Sequence, residues 1–277
     1  MRFTAKDHRL NLDDAAIMGI LNVTPDSFSD GGLWLDPAAA LKHAAEMGQQ
    51  GAAIIDVGGE STRPGAAEVP ADEELRRILP VIEGLAGGGA VISVDTRKAA
   101  VAKVALEAGA HVINDTAGEA SDRQMDRVAA ETGAGIVIMH SRGTPATMKT
   151  LTDYDDVVVD VRGFLARRAE DLLALGIEED AIVLDPGIGF AKTAAQNLEL
   201  LARLETFQDL GFPLLVGTSR KSFIGAILDL PEHQRLEATA ASCVIARMKG
   251  VRILRVHDVE PIVRAVRMAE AILGASE

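Results

Sequence analysis

Eight times along the chain a short apolar, mostly β-branched run ends on or beside a polar side chain and gives way to a helical pattern. The first run, Ile17-Met18-Gly19-Ile20-Leu21, stops at Asn22. Ala53-Ile54-Ile55-Asp56-Val57 follows, then Val91-Ile92-Ser93-Val94 before Asp95, Val112-Ile113 before Asn114, and Ile136-Val137-Ile138-Met139 before His140. The last three are Ile182-Val183-Leu184 before Asp185, Leu214-Leu215-Val216 before a loop carrying Lys221, and Ile253-Leu254 before Arg255 and His257. Lacking a polar face, these runs read as strands buried on both sides, as in a parallel sheet. Helix signals fall between them. Asp36-Pro37 caps a helix closing at Gly48 or Gly51, and a second spans about Asp72 to Leu85 with Pro80 as a kink. Ser121 with Gln124 has the spacing of a capping box for a helix ending at Gly133, and a long amphipathic helix runs from Asp155 to Leu175. Eight βα units with right-handed crossovers close into a (β/α)8 barrel. An open doubly wound sheet would carry a glycine fingerprint after its first strand, where this chain has Asn22.

The 277 residues suit one such barrel, read as a single domain over 1–277, with residues 1–16 as an N-terminal extension forming a short hairpin at the bottom of the barrel. A net charge of −13 disfavours a nucleic-acid or anionic-membrane surface. The single cysteine, Cys243, excludes a disulfide framework and reads as a buried thiol in a helix. With no apolar run near the length of a membrane span and no leader-like segment, a cytoplasmic protein is expected.

Any one strand-end polar residue could be an N-cap or a loop contact to backbone. A barrel gathers all of them at its upper rim, where such crowding is costly unless they meet a ligand. Asp95, Asn114 and Asp185 are acceptors suited to a flat ring edge rich in N–H donors. Arg63, Lys221, Arg255 and His257 suit an anion, helped by the N-terminus of the final helix, near Pro261. Gly187-Ile188-Gly189-Phe190-Ala191-Lys192 lacks the closing Gly-Lys-Ser/Thr of a P-loop. His140 and His257 lack the spacing of a zinc protease. Mg²⁺ accompanying a polyphosphate needs only one or two protein oxygens, which Asn22 or Asp30 could supply.

Five segments in this order, Asn22-Val-Thr-Pro-Asp-Ser-Phe-Ser-Asp-Gly-Gly32, Gly58-Gly-Glu-Ser-Thr-Arg-Pro-Gly65, Asp185-Pro-Gly-Ile-Gly-Phe190, Thr218-Ser-Arg-Lys-Ser-Phe223 and Arg255-Val-His-Asp258, resemble the dihydropteroate synthase family. The resemblance implies a (β/α)8 barrel that joins 6-hydroxymethyl-7,8-dihydropterin pyrophosphate to p-aminobenzoate, releasing pyrophosphate. It implies that Asp95, Asn114, Asp185 and Lys221 hold the pterin, with Met139 and Gly217 lining it, and that Asn22 contacts Mg²⁺. Arg255 and His257 would hold the pyrophosphate. Thr62, Arg63, Pro64, Phe28, Phe190 and Ser222 would shape the p-aminobenzoate pocket, with Asp30 on a loop, Thr24 to Gly32, that closes over the site. Catalytic weight would rest on Arg255, His257, Lys221 and Asp30. A homodimer is implied, with Val244, Ile245 and Met248 as possible contributors. Ala238 replaces a common glycine and Ser141 a common methionine. The neutral amine nucleophile demands no dedicated base. Competing readings are a non-catalytic pterin-binding paralogue, a methyl-folate methyltransferase on the same barrel, and a phosphosugar barrel enzyme. The completeness of both loops, 22–32 and 58–67, counts against the first, the Ser61–Pro64 segment and the Arg255–His257 pair against the second, and the acceptor-rich floor against the third.

Overall fold

A computed structural model of the protein describes residues 1–24, 36–63, 65–121 and 123–275. The chain begins with β1 (Arg2–Ala5) and β2 (His8–Asn11), an antiparallel pair with Phe3 opposite Leu10. The expected hairpin is therefore present. The eight barrel strands and their main helices follow in order: β3 (Ala16–Asn22), α1 (Pro37–Gln49), β4 (Ile54–Gly58), α2 (Ala71–Leu85), β5 (Val91–Thr96), α3 (Ala99–Glu107), β6 (Val112–Asp115) and α4 (Gln124–Thr132). Then come β7 (Gly135–Met139), α5 (Val157–Ala174), β8 (Ile182–Asp185), α6 (Ala194–Ala202), β9 (Leu215–Val216), α7 (Ser222–Leu228), α8 (Leu236–Met248), β10 (Ile253–Val256) and α9 (Val259–Gly274). The sheet runs β8-β7-β6-β5-β4-β3-β10-β9 with every pair parallel. A parallel bridge between Leu184 and Leu214 joins its two ends, closing the (β/α)8 barrel.

Alternation along the strands sorts two cores. Ile17, Ile55, Ile92, Ile113, Ile136, Leu184 and Leu254 point outward and pack under the helices. Met18, Ile54, Val91, Val112, Val137, Val183, Leu215 and Ile253 fill the barrel's lower interior, where Phe3, Ala5 and Leu12 join them. The hairpin thus plugs the end opposite the strands' C-termini. Two residues further on, the same face of the strand carries Asp56, Asn114, Asp185 and Arg255. The interior turns from apolar to polar within one step of the pleat.

Local chemistry explains the helix ends. Asp36 accepts from the Ala38 amide, and Asp156 accepts from Val158 and Val159 at 2.9 and 3.0 Å. Pro80 lies inside α2, which continues through it. The expected capping box at Ser121 does not form: its hydroxyl donates to the buried Asp115 carboxylate at 2.5 Å, and α4 starts at Gln124 without a side-chain cap. A reciprocal box is found instead at α6, between Thr193 and Gln196.

Candidate active site

At the C-terminal ends of the strands lies a cavity of about 380 Å³. Its walls include Asn22, Thr62, Arg63, Asp95, Phe190, Gly217, Lys221, Ser222, Arg255 and His257. Ten of the sequence-predicted residues therefore share one cavity. Asn114, Met139 and Asp185 do not reach its wall; they lie buried beneath it, with Asn114 paired to Asp95 across β5–β6 and Met139 to Asp185 across β7–β8. Phe28, Asp30 and Pro64, with the Thr24–Gly32 lid expected to carry the first two, fall outside the described residues or largely so.

Arg255 organises the floor. Its Nε donates to Asp56 Oδ2 at 2.6 Å and its Nη2 to Asp95 Oδ2 at 2.7 Å. Burial opposes the guanidinium charge, but the Asp56 and Asp95 carboxylates outweigh it and raise the Arg255 pKa. Asn114 Nδ2 donates to the same Asp56 oxygen at 3.0 Å, and Thr116 Oγ1 donates to Asp95 Oδ1 at 3.1 Å. Burial pushes Asp95 up to about 7 against the pull of Arg255, with the Asp56 charge adding to the rise. Asp185 is pushed up to about 6, again by burial first, although the Gly187 amide donates to it at 2.7 Å. Lys221 is lowered to about 8 by burial and by Arg255, and its ammonium sits 4.0 Å from the Phe190 ring centroid. Two carboxyls raised and the Lys221 amine lowered around one buried guanidinium mark an electrostatically loaded site.

The rim is cationic. The His257 pKa lies well below its ordinary value through burial and then the charges of Arg220, Arg255, Arg63 and Lys221. Its Nδ1 lies 3.0 Å from Ser219 Oγ. Arg220 forms a two-pronged pair with Asp258 at 2.6 and 3.0 Å, and Arg63 pairs with Glu232 at 2.8 Å.

Sequence reasoning passed over several residues of this assembly. Asp56 ended a strand and was given no role, yet it is wholly buried at the centre of the network. The signal was the pleat, which puts Asp56 two residues above inward-facing Ile54. Lys192, dismissed with its failed P-loop, is a buried strut. Its ammonium donates to the carbonyls of Phe190, Gly187 and His140 at 2.9, 3.0 and 3.3 Å and lies 3.0 Å from His140 Nδ1. Burial lowers it to about 7. Gly187 makes this junction possible: at φ +70, a Cβ there would stand 1.9 Å from the His140 carbonyl oxygen. His140, a strand-end residue, is 1 % exposed beside this strut and does not face the cavity.

Where Ser141 replaces a common methionine, the backbone makes the observed contacts. It accepts from the Glu119 amide at 2.9 Å, and a Cβ on Gly118 (φ +62) would come within 2.4 Å of it.

A parallel barrel with carboxylates beneath its mouth and cations around it defines a class of enzyme, and a family model described as pterin binding enzyme matches residues 18–257. The dihydropteroate synthase of Escherichia coli K12 is 47% identical over 278 residues, covering 100% of this chain and 98% of that protein. That of Bacillus subtilis 168 is 49% identical over 259 residues, covering 93% and 88%. Among solved structures, Yersinia pestis dihydropteroate synthase in a sulfonamide drug complex superposes with a TM-score of 0.94 at 46% identity, covering 99% of this chain and 100% of that one. The Thermus thermophilus enzyme in complex with 4-aminobenzoate gives 0.88 at 43% identity, covering 98% and 99%. The chain belongs to the pterin-binding enzymes and, within them, to the dihydropteroate synthases.

Proposed function

We propose that this chain, as one domain, condenses 6-hydroxymethyl-7,8-dihydropterin pyrophosphate with p-aminobenzoate to give 7,8-dihydropteroate and pyrophosphate. The observation that carries the reading is Arg255 set between a buried acidic floor, Asp56 and Asp95, and a cationic rim containing His257 and Lys221. Such a site accommodates a flat donor-rich ring below and an anion above.

The leaving group departs from a carbon attached to a conjugated ring, so a dissociative displacement with cationic character on the pterin is favoured. Carboxylates at Asp95 and Asp185 stabilise charge developing there, while Arg255 and His257 stabilise charge developing on the leaving pyrophosphate. Lys221 shields the ring edge beside Asp185. Thr62, Arg63, Phe190 and Ser222 supply the second substrate's pocket, to which Pro64, Phe28 and Asp30 are assigned by resemblance alone. The nucleophilic amine is neutral near pH 7 and needs no base.

Asn22 fits Mg²⁺. It is half-buried on the cavity wall, and among the described residues nothing hydrogen-bonds its carboxamide. One neutral oxygen beside phosphate oxygens suits that ion, which when bound would supply a Lewis acid for the pyrophosphate. The Asp7–His8–His111 cluster near the hairpin is unsuited to a metal. His111 Nδ1 accepts the Ile92 amide at 3.0 Å, so the neutral ring carries its proton on Nε2, the nitrogen a metal would need.

A homodimer is supported by exposed Ile245 and Met248 on α8 and Met268 and Ile272 on α9, and light scattering at twice the chain mass checks it. A cytoplasmic location is consistent with the described helices, none of which is long and apolar enough to cross a membrane. Incubation with Mg²⁺, dihydropterin pyrophosphate and p-aminobenzoate should release pyrophosphate and dihydropteroate in equal amounts, with sulfonamides competing against p-aminobenzoate. Folded protein that yields neither product refutes the reading.

A further inference from the structure

Asp56 has an unusual set of contacts. The residue is 0 % exposed, and a single oxygen, Oδ2, accepts both from Arg255 Nε at 2.6 Å and from Asn114 Nδ2 at 3.0 Å. Its other oxygen, Oδ1, has no partner among the described residues. One acceptor atom thus serves two side chains, the Arg255 guanidinium and the Asn114 carboxamide.

An ionised carboxylate only accepts hydrogen bonds, so Asn114 must turn its nitrogen toward Asp56. Its carboxamide oxygen is then the end left for a ligand. That oxygen accepts no hydrogen bond among the described residues, yet it is not sealed away like Asp56 Oδ1. Among the described residues no other group hydrogen-bonds the Asn114 carboxamide, so without Asp56 neither amide orientation is selected. Resting on the function proposed above, we infer that Asp56 is a positioning residue for substrate specificity: it fixes the Asn114 carboxamide with its oxygen toward the ring-binding floor, so that a ring edge offering an N–H donor is preferred to one offering a carbonyl. It acts through Asn114 and need not touch the ring.

The test is a pair of ligands differing at one group, 6-hydroxymethylpterin and 6-hydroxymethyllumazine, in which a carbonyl replaces the 2-amino group. Calorimetric titration of the wild-type chain should favour the pterin by about tenfold or more, since a hydrogen-bonding site rejects a mismatched edge strongly. Asp56→Ala should reduce that ratio to below about threefold, because the amide can then present either end. Asp56→Asn should keep the wild-type ratio, since only its carbonyl oxygen can occupy the doubly bonded position while its nitrogen replaces unpartnered Oδ1. The conservative variant therefore restores discrimination, which a merely structural role would not require. An unchanged ratio in Asp56→Ala overturns the inference, as does equal loss in both variants. If Asp56→Ala does not fold, Asp56→Ser takes its place: its hydroxyl can donate or accept and selects neither end of the Asn114 amide, so the ratio should again fall below about threefold, and an unchanged ratio refutes the role. A wild-type chain that binds neither pteridine removes the proposed function itself. Wild-type binding with an unchanged ratio in the variant that lacks the carboxamide-selecting oxygen, Asp56→Ala or Asp56→Ser, removes only this role.

Discussion

Ser219 illustrates how much chemistry one hydroxyl can fix. Its oxygen accepts the His257 backbone amide at 3.2 Å and lies 3.0 Å from His257 Nδ1. With its own proton directed at Nδ1, the neutral imidazole carries hydrogen on Nε2 and remains a donor, while neighbouring arginines disfavour a second proton. Ser219→Ala should free the tautomer and weaken pyrophosphate binding about two- to tenfold, the worth of a neutral hydrogen bond. Nitrogen NMR of histidine-labelled protein should then show a mixed ring; an unaltered His257 tautomer would contradict the account. Residues such as Asp95 and Lys221 were legible because one lies at the end of a strand and the other in the loop that follows one. Ser219 was not, because its value depends on folding back onto a loop 38 residues away.

Among the elements, the β1–β2 hairpin was readable from its short polar-apolar segment, and its packing role was not. Phe3 is 1 % exposed against the inner strand residues, and a Cβ on Gly135 would stand 2.6 Å from its ring. Phe3→Ala should cost about 3–5 kcal/mol in urea unfolding, with both substrates' KM values nearly unchanged because the plug lies at the far end. A large KM rise with little lost stability would show that the hairpin reaches the site. The strands themselves were plain in sequence, since burial on both faces leaves β-branched runs. Helix starts were less so. Ser121-Asp-Arg-Gln124 has the spacing of a cap, but the Asp115 carboxylate captures the serine hydroxyl. Thr193 meets no such competitor and caps α6. Spacing alone cannot register a rival acceptor brought near by the barrel.

For the whole molecule, buried ionisable groups set opposing responses to pH. His111 and His140 are lowered to about 4 and about 2, chiefly by burial. Unfolded histidines take up protons as the pH drops past 6.5 and these do not, so their stabilising share is intact above 6.5 and lost as pH falls toward 4 and below. Asp95 and Asp185 act oppositely, their share being lost as pH rises from 3.8 through about 7 and about 6. His111→Asn keeps an acceptor for the Ile92 amide and removes the titration. The urea midpoint of this variant should fall less between pH 6.5 and 4 than that of the wild type. Parallel curves for the two proteins would assign the acid sensitivity elsewhere.

The barrel's closure has a consequence of its own. Two-residue β9 meets β8 through one bridge, Leu184 to Leu214, supported by the Leu184 amide donating to Pro213 at 3.0 Å. Asp185 stands at the top of one side of this seam and Lys221 follows from the other. A pterin engaging both would act as a clasp across the weakest stave of the cask. Ligand would then slow hydrogen exchange at the Leu184 amide more than at the amides of β4 or β5, and the substrate would complete the closure that the strands only begin.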